Sequence, residues 1–286
     1  MTGSAWLFVP ADSEKKLGKI RNVPAAVFIL DLEDSVALDN KSEARRLAAD
    51  FLRDSGVDRD SLWVRVNPMT GPYFEDDLAA VVPAGPGGIV LPKTRSADDV
   101  RALSARLDAL EHEHGLEPGS IRILPLVTEL PEALFTLGGY VNCGPRLAGL
   151  TWGAEDLGAA IGATETRDAY DEWTPPFQLA RNLCLFAAHA AGVPAIDTVF
   201  TDLIDLAGLD DEADAARRDG FSGKLAIHPA QVETINVSFR PSEKELAYAR
   251  RVVEAFEANP NAAVLELDGK MLDRPHLLQA QRILGL

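Results

Sequence analysis

The chain has 286 residues, 47% of them hydrophobic and 25% charged, the balance of a soluble globular protein able to bury a sizeable core. Its net charge of −16 excludes a general nucleic-acid binder, because a phosphate backbone is held by Lys and Arg, and any anionic ligand must therefore find a locally basic pocket. Cys143 and Cys184 have neither a CxxC spacing nor the density of a secreted framework, no basic n-region precedes the apolar run 5–10, and no run nears the roughly 18 residues of a membrane span. A cytoplasmic protein with reduced thiols, away from membranes, is the expectation.

Eight short apolar runs follow one another, at 5–9, 25–30, 62–66, 88–91, 121–127, 147–152, 195–200 and 224–227. Helix-like stretches lie between them, among them 42–53, 97–114, 178–191 and 212–219. Continuous apolar strands alternating with helices predict an α/β fold with a parallel sheet, and eight repeats predict a closed (β/α)₈ TIM barrel. An open doubly wound sheet is the alternative, but no GxGxxG follows the first strand. After Ile227 the rhythm changes. Pro241-Ser242 opens a helix to about residue 258, Asn259-Pro260-Asn261 breaks it, 263–267 reads as a strand, 268–270 as a turn and 274–284 as a last helix. The predicted organisation is a barrel over 1–240 and a small C-terminal lid or arm over 241–286.

In a barrel of this type, ligands and catalysts sit where strands end. Those positions hold Pro10 and Ala11, then Asp31, Glu33 and Asp34, then Arg65 and Asn67, then Pro92 and Lys93. The later strands contribute Glu129, Glu155 with Asp156, Asp202, and His228 with Pro229. A charged residue at nearly every strand end is hard to explain by packing alone.

The run 147–161, LAGLTWGAEDLGAAI, is the focus of the pattern: a buried strand stops at Gly153, two acids follow at once, and a small-residue helix begins. The pair reads as metal ligands, as an acid/base couple, or as a helix cap with a first-turn anion. Glu129 ends another apolar run 156 − 129 = 27 residues upstream of Asp156, about one βα unit, so the two carboxylates fit adjacent strand ends. Oxygen ligands of this kind suit Mg²⁺, which takes one or two protein carboxylates and keeps places for water and substrate; Zn²⁺ would call for a His or Cys cluster. A salt-bridged pair of acids is the other reading. Arg65, a charge between apolar strand neighbours, is read as a clamp for a carboxylate or developing oxyanion, as an ion-pair partner of the Asp31–Asp34 cluster, or as both. His112 and His114 are expected to be solvated, His189 to be a core residue, His228 a cap, and Cys184 a buried small hydrophobe.

Seven collinear segments carry a family resemblance: LFVPA (7–11), ILDLEDSV (29–36), VRVN (64–67), VLPK (90–93), WGAEDL (152–157), GFSGKLAIHPAQV (220–232) and DGKMLDRP (268–275). Together they resemble the citrate lyase β-subunit-like branch of the HpcH/HpaI aldolase superfamily, relatives of malyl-CoA and citramalyl-CoA lyases. The resemblance implies a homotrimer of barrels with C-terminal lids, a Mg²⁺ cofactor, and cleavage or formation of a carbon–carbon bond in a CoA thioester. It places the metal on Glu129 and Asp156, and the substrate on Arg65 with Glu33 and Asp34 beside it. Asp273, the family's lid aspartate, is implied to serve a neighbouring subunit's site and to move the proton on the acetyl carbon, with Asp31 as the second catalytic candidate. Lys16, Lys19, Arg21 and Lys93 are candidates for the CoA phosphates. One departure stands out: where the family has Pro-Leu-Ile-Glu-Thr, this chain has Pro125-Leu126-Val127-Thr128-Glu129, with an extra residue before the acid. Two competing functions share the same residues, a citrate lyase β subunit acting on an acyl-carrier-protein thioester and a metal-dependent 2-oxo acid aldolase without CoA.

Overall fold

The structure is a computed structural model and describes residues 4–286. The chain divides into two compact units, Met1–Phe239 and Arg240–Leu286. In the first, eight parallel strands are β1 (Ala5–Pro10), β2 (Val27–Asp31), β3 (Leu62–Arg65), β4 (Gly88–Leu91), β5 (Arg122–Pro125), β6 (Leu150–Thr151), β7 (Ala195–Asp197) and β8 (Gly223–Ala226). They pair in the order β5-β4-β3-β2-β1-β8-β7-β6, and parallel bridges Ile123–Leu147 and Leu126–Thr151 join the two ends. The sheet is thus a closed (β/α)₈ barrel, as the eight apolar runs predict.

Strand alternation sorts the side chains into two layers. Along β2, Val27 and Ile29 face the barrel interior with Trp6, Trp63, Val90, Leu124, Ile196 and Leu225. Phe28 and Leu30 of the same strand face outward, into the larger apolar layer shared with the helices. Those helices are α1 (Glu14–Lys19), α2 (Lys41–Asp54), α3 (Phe74–Val81), α4 (Ala97–His114), α5 (Ala154–Ile161), α6 (Pro175–Ala191), α7 (Leu206–Asp219) and α8 (Pro229–Ser238).

Local chemistry explains where the elements depart from expectation. Helix α6 begins three residues early because Pro175 and Pro176 occupy its first positions, where a missing N–H costs nothing. Helix α7 begins at Leu206 rather than residue 212, because Asp205 caps it by accepting from Gly208 N at 2.9 Å. Between β5 and β6 there is no α-helix, only the 3₁₀ turns Pro131–Phe135 and Leu137–Tyr140, and two helices follow β6 instead.

The second unit holds α9 (Glu243–Ala258), an antiparallel hairpin of β9 (Val264–Leu267) and β10 (Lys270–Asp273), and α10 (Arg274–Leu284). Asp268 and Gly269, with φ of 55° and 74°, form the two-residue turn between the strands, a left-handed conformation that an Asp-Gly pair accommodates. Strand β10 is absent from the sequence reading because its KMLD run is short and half polar. Ala249, Val252, Leu272 and Ala280 make the small core of this unit.

At the start of β4, a Cβ on Gly88 would lie 2.4 Å from the ring of Trp63, which is itself packed edge-on to Trp6 with ring centroids 5.1 Å apart. Neither indole has room to retreat inside the barrel. Gly88→Ala is expected to lower stability by about 1–3 kcal/mol, the cost of overpacking a filled core. Thermal unfolding that leaves the melting temperature unchanged would show that the indole pair is more yielding than its packing implies.

Candidate active site

A cavity of about 270 Å³ opens at the C-terminal ends of the strands. Asp31, Asp34, Arg65, Glu129, Glu155 and Asp156 line it on one side, and Phe8, Leu126, Trp152, Val199 and Leu225 form an apolar wall and floor. Strand geometry accounts for the polar half. Asp31 and Arg65 are register partners at the ends of β2 and β3, and both fall in the inward-facing alternation of their strands. They meet as a fork on a carboxylate: Arg65 Nε donates to Asp31 Oδ1 and Nη2 to Oδ2, each at 2.7 Å. The guanidinium also lies 4.6 Å from the centre of the Phe8 ring.

Of the two readings of Arg65 from sequence, the structure makes the ion pair with the Asp31 cluster, and the residue also lines the cavity. Burial drives the Asp31 carboxyl upward, but the charge and hydrogen bonds of Arg65 outweigh it and hold the group below its usual range. Asp31 also accepts from the backbone N–H of Glu33 and of Ser35. It is a fully committed, ionised partner of Arg65 rather than a free proton carrier. Glu33 is buried too, and there burial wins over Arg65 and Lys93, so its carboxyl is raised. Its Oε2 lies 3.0 Å from Arg65 Nη1 but without hydrogen-bond geometry, which leaves a buried acceptor without a donor. Lys41, which the sequence reading passed over, anchors this segment: its buried ammonium donates to the carbonyls of Leu32 and Glu33, both at 2.7 Å.

Glu129 and Asp156 line the same polar half of the cavity. Glu129 is buried, and its Oε2 accepts from Lys93 N at 2.5 Å, whereas its Oε1 receives no hydrogen bond among the described residues. Burial, followed by the charges of Asp156 and Glu33, pushes the Glu129 carboxyl up to about 8. Asp156 is a third exposed, and Lys93 Nζ is 3.2 Å from its Oδ1. Gly153 makes room for this arrangement, because a Cβ there would come within 2.8 Å of Glu129 Cγ. The pair fits a hard divalent cation. The donors are all oxygen, one carboxylate oxygen is uncommitted, and a buried acid raised by neighbouring acids gains from added positive charge. No histidine or cysteine lines the cavity, as a Zn²⁺ site would require.

The other candidates are dispersed. Lys16 and Lys19 are exposed on α1 and Arg21 just beyond it, and none of the three lines the cavity. Lys93 is not a free cation for a phosphate, because its ammonium contacts Glu33, Asp34 and Asp156. Asn67 is a buried brace between Leu32 O and Asp77, and exposed Asp202 caps its own loop. His228 is the cap expected of it, Nδ1 accepting from Ala230 N at the start of α8. Cys184 is fully buried. His189 is a correction: it is exposed rather than in the core, and Nε2 contacts Gly220 O, because its position on α6 turns it from the apolar face. Asp273, in the second unit, is the N-terminal cap of α10, and its Oδ1 lies 2.6 Å from His276 Nδ1. The sequence reading missed His276, although an acid and a histidine three apart at a helix start are a capping-box spacing.

The ordinary carboxyl titrates near 4.5 and Glu129 near 8, so between these values the folded state holds a proton that the unfolded state has lost. Stability of the cation-free protein therefore falls as pH rises through that window. Carbon NMR of Glu-labelled, chelator-treated protein is expected to show one carboxyl titrating near 8 that disappears in Glu129→Gln. Titration of every glutamate below about 6 would remove Glu129 from this electrostatic role.

The barrel and its cavity have counterparts among known proteins. The family model for HpcH/HpaI aldolase/citrate lyase matches residues 4–229, and that for a C–C bond lyase of the TIM-barrel fold matches residues 177–286. Citrate lyase subunit beta of Escherichia coli is 35% identical over 289 residues, covering 99% of this chain and 93% of its own. The (3S)-malyl-CoA thioesterase of Cereibacter sphaeroides is 33% identical over 288 residues, covering 98% of this chain and 92% of its own. The crystal structure of protein CitE from Mycobacterium tuberculosis, in complex with magnesium, acetoacetate and coenzyme A, superposes with a TM-score of 0.82 at 32% identity, over 99% of this chain and 97% of that one. Full-length similarity at this level, on a barrel with this acid-lined mouth, means that the chain belongs to the HpcH/HpaI aldolase/citrate lyase family of carbon–carbon lyases.

Proposed function

We propose that the protein is a Mg²⁺-dependent lyase that cleaves or forms the carbon–carbon bond of a 3-hydroxyacyl-CoA thioester, such as malyl-CoA or citramalyl-CoA, with acetyl-CoA and a 2-oxo acid as the other side of the reaction. The observation that carries this reading is one cavity lined by a pinned guanidinium, Arg65, and by the carboxylates of Asp156 and of Glu129, whose Oε1 is uncommitted. The relative solved with magnesium and coenzyme A supports the same chemistry.

Glu129 and Asp156 would hold Mg²⁺, which when bound polarises the carbonyl of the 2-oxo-acid half as a Lewis acid. Arg65 directs its remaining N–H toward the thioester oxygen on which negative charge builds as the carbon–carbon bond breaks. Asp31 contributes by holding that fork in one orientation, so that little reorganisation is needed when the charge develops. Trp152, Leu126 and Leu225 keep water from the reacting carbon. In the cleavage direction the hydroxyl that becomes the 2-oxo carbonyl loses a proton as the carbon–carbon bond breaks and the acetyl carbon gains one, and we assign both transfers to the carboxylate of Asp273 of a neighbouring copy in a homotrimer, with residues 241–286 acting as the lid. Lys16, Lys19 and Arg21 are assigned to the CoA phosphates, as the exposed cations near the first strand end. A second reading, a thioester delivered by an acyl-carrier protein, is favoured by the similarity to citrate lyase subunit beta.

Purified protein with Mg²⁺, assayed against malyl-, methylmalyl- and citramalyl-CoA and against a carrier-bound citryl thioester, separates the two readings. Arg65→Lys is expected to lower kcat on the preferred substrate by roughly 10²-fold or more, because an ammonium cannot reproduce the fork that binds Asp31 and an enolate oxygen together. Unchanged kcat with a lowered melting temperature would reduce Arg65 to a structural residue.

The trimer assignment has its own test. Arg65→Ala and Asp273→Asn are each expected to be nearly inactive. Refolding them together in equal amounts should restore activity to about a quarter of the sites, those that combine a native barrel with a native lid from different chains. Mixed trimers, verified by native mass spectrometry, that stay as inactive as the parents would overturn it.

A further inference from the structure

Lys93 holds more of this site together than any role assigned so far requires. It follows Pro92 at the end of β4 with φ of 49°, a left-handed conformation that a lysine keeps only where its surroundings impose it. The consequence is that backbone and side chain reach the same cluster from one residue. Lys93 N donates to Glu129 Oε2 at 2.5 Å, while Nζ lies 2.5 Å from Glu33 Oε1, 3.2 Å from Asp156 Oδ1 and 3.4 Å from Asp34 Oδ2. Arg65 is largely spent on Asp31, so one ammonium faces Glu33, Asp34 and Asp156, with the Glu129 carboxylate close behind.

We propose that Lys93 is the resident counter-cation of the metal position: its ammonium bridges Glu33 and Asp156 when no divalent cation is present, and Mg²⁺ displaces it from Asp156 onto Glu33 alone. The inference rests on the magnesium reading above. The two halves of the residue act in opposite senses. The backbone N–H occupies Glu129 Oε2 in either state and leaves Oε1 to face the cation. The side chain competes for Asp156 and, even when displaced, remains a positive charge a few ångströms from a second one. At such distances the repulsion is large in a partly buried site, so removing the ammonium should strengthen metal binding although it removes an ion-pair partner from a ligand.

The experiment is calorimetric titration of Mg²⁺ into the wild-type protein and into Lys93→Met, Lys93→Arg and Lys93→Gly. The glycine variant keeps the left-handed backbone without strain, and with it the hydrogen bond to Glu129. Lys93→Met and Lys93→Gly are expected to bind Mg²⁺ at least about tenfold more tightly than wild type, and Lys93→Arg to show no such gain. Metal-free Lys93→Met should also melt below wild type and be raised further than wild type by added Mg²⁺. Equal or weaker Mg²⁺ binding in Lys93→Gly, with wild-type binding intact, overturns the inference and leaves the magnesium reading standing. Absence of Mg²⁺ binding by the wild type overturns the magnesium reading itself. Should the variants fail to fold, a crystal structure of the wild type with Mg²⁺ decides. Lys93 Nζ beyond about 4 Å from Asp156 and still on Glu33 supports displacement, and an unchanged pair with Asp156 rules it out.

Discussion

The fork of Arg65 on Asp31 is the contact on which the rest of the mouth depends. A guanidinium at the end of an apolar barrel costs several kcal/mol to bury unless its charge and its donors are met. The barrel meets most of that need itself, because parallel register sets Asp31 and Arg65 side by side on β2 and β3 and strand alternation turns both inward. Once that pair is made, Arg65 has little charge left for the other acids. Lys93 then faces Glu33, Asp34 and Asp156 with its ammonium and Glu129 with its backbone N–H, while Arg65 Nη1 lies 3.0 Å from Glu33 as well. The excess of acid makes this end of the barrel a place for a small, hard cation.

Rigidity of the cavity wall comes from a second polar cluster, outside the barrel interior. The Trp152 indole donates to Asp197 Oδ1 at 2.8 Å, and Asp197 is held from its other side by the fully buried Lys224 at 2.8 Å. Lys224 reaches Glu212 on α7, and Arg181 on α6 lies 3.5 Å from Asp197. Every charge in this cluster has a partner, so its burial fixes orientation instead of leaving an unmet ion. Trp152 is thereby fixed in the wall, and Gly153 next to it leaves the space that Glu129 fills. Two adjacent residues of one motif thus serve opposite needs, bulk against water and absence of bulk beside a ligand.

The elements themselves follow from period and punctuation. All eight strands of the barrel overlap the apolar runs, three of them reaching one residue beyond, and helices α4 and α10 begin and end where their sequence signals fall. Short-range physics decides these features: apolar runs must be buried, and Ser96 or Pro275 at a helix start acts within a turn. Where the reading failed, the signal was weak or local context overrode it. KMLD is too short and too polar to announce β10, and His189 sits in an apolar run yet on the wrong side of its helix.

The sequence by itself determined that acids and one arginine collect at strand ends, because strand order and the length of a βα unit are written along the chain. It also carried the family, through seven collinear motifs. Only the tertiary structure decided which charges meet. Asp31 lies 34 residues from Arg65, and Lys93 lies 60 residues from Glu33 and 36 from Glu129. Pairing across such separations depends on register, on side-chain reach and, for Lys93, on a left-handed backbone angle that no residue type predicts. Solvent exclusion is likewise a property of the closed barrel and not of any segment, which is why the raised carboxyl of Glu129 is visible only in the folded molecule.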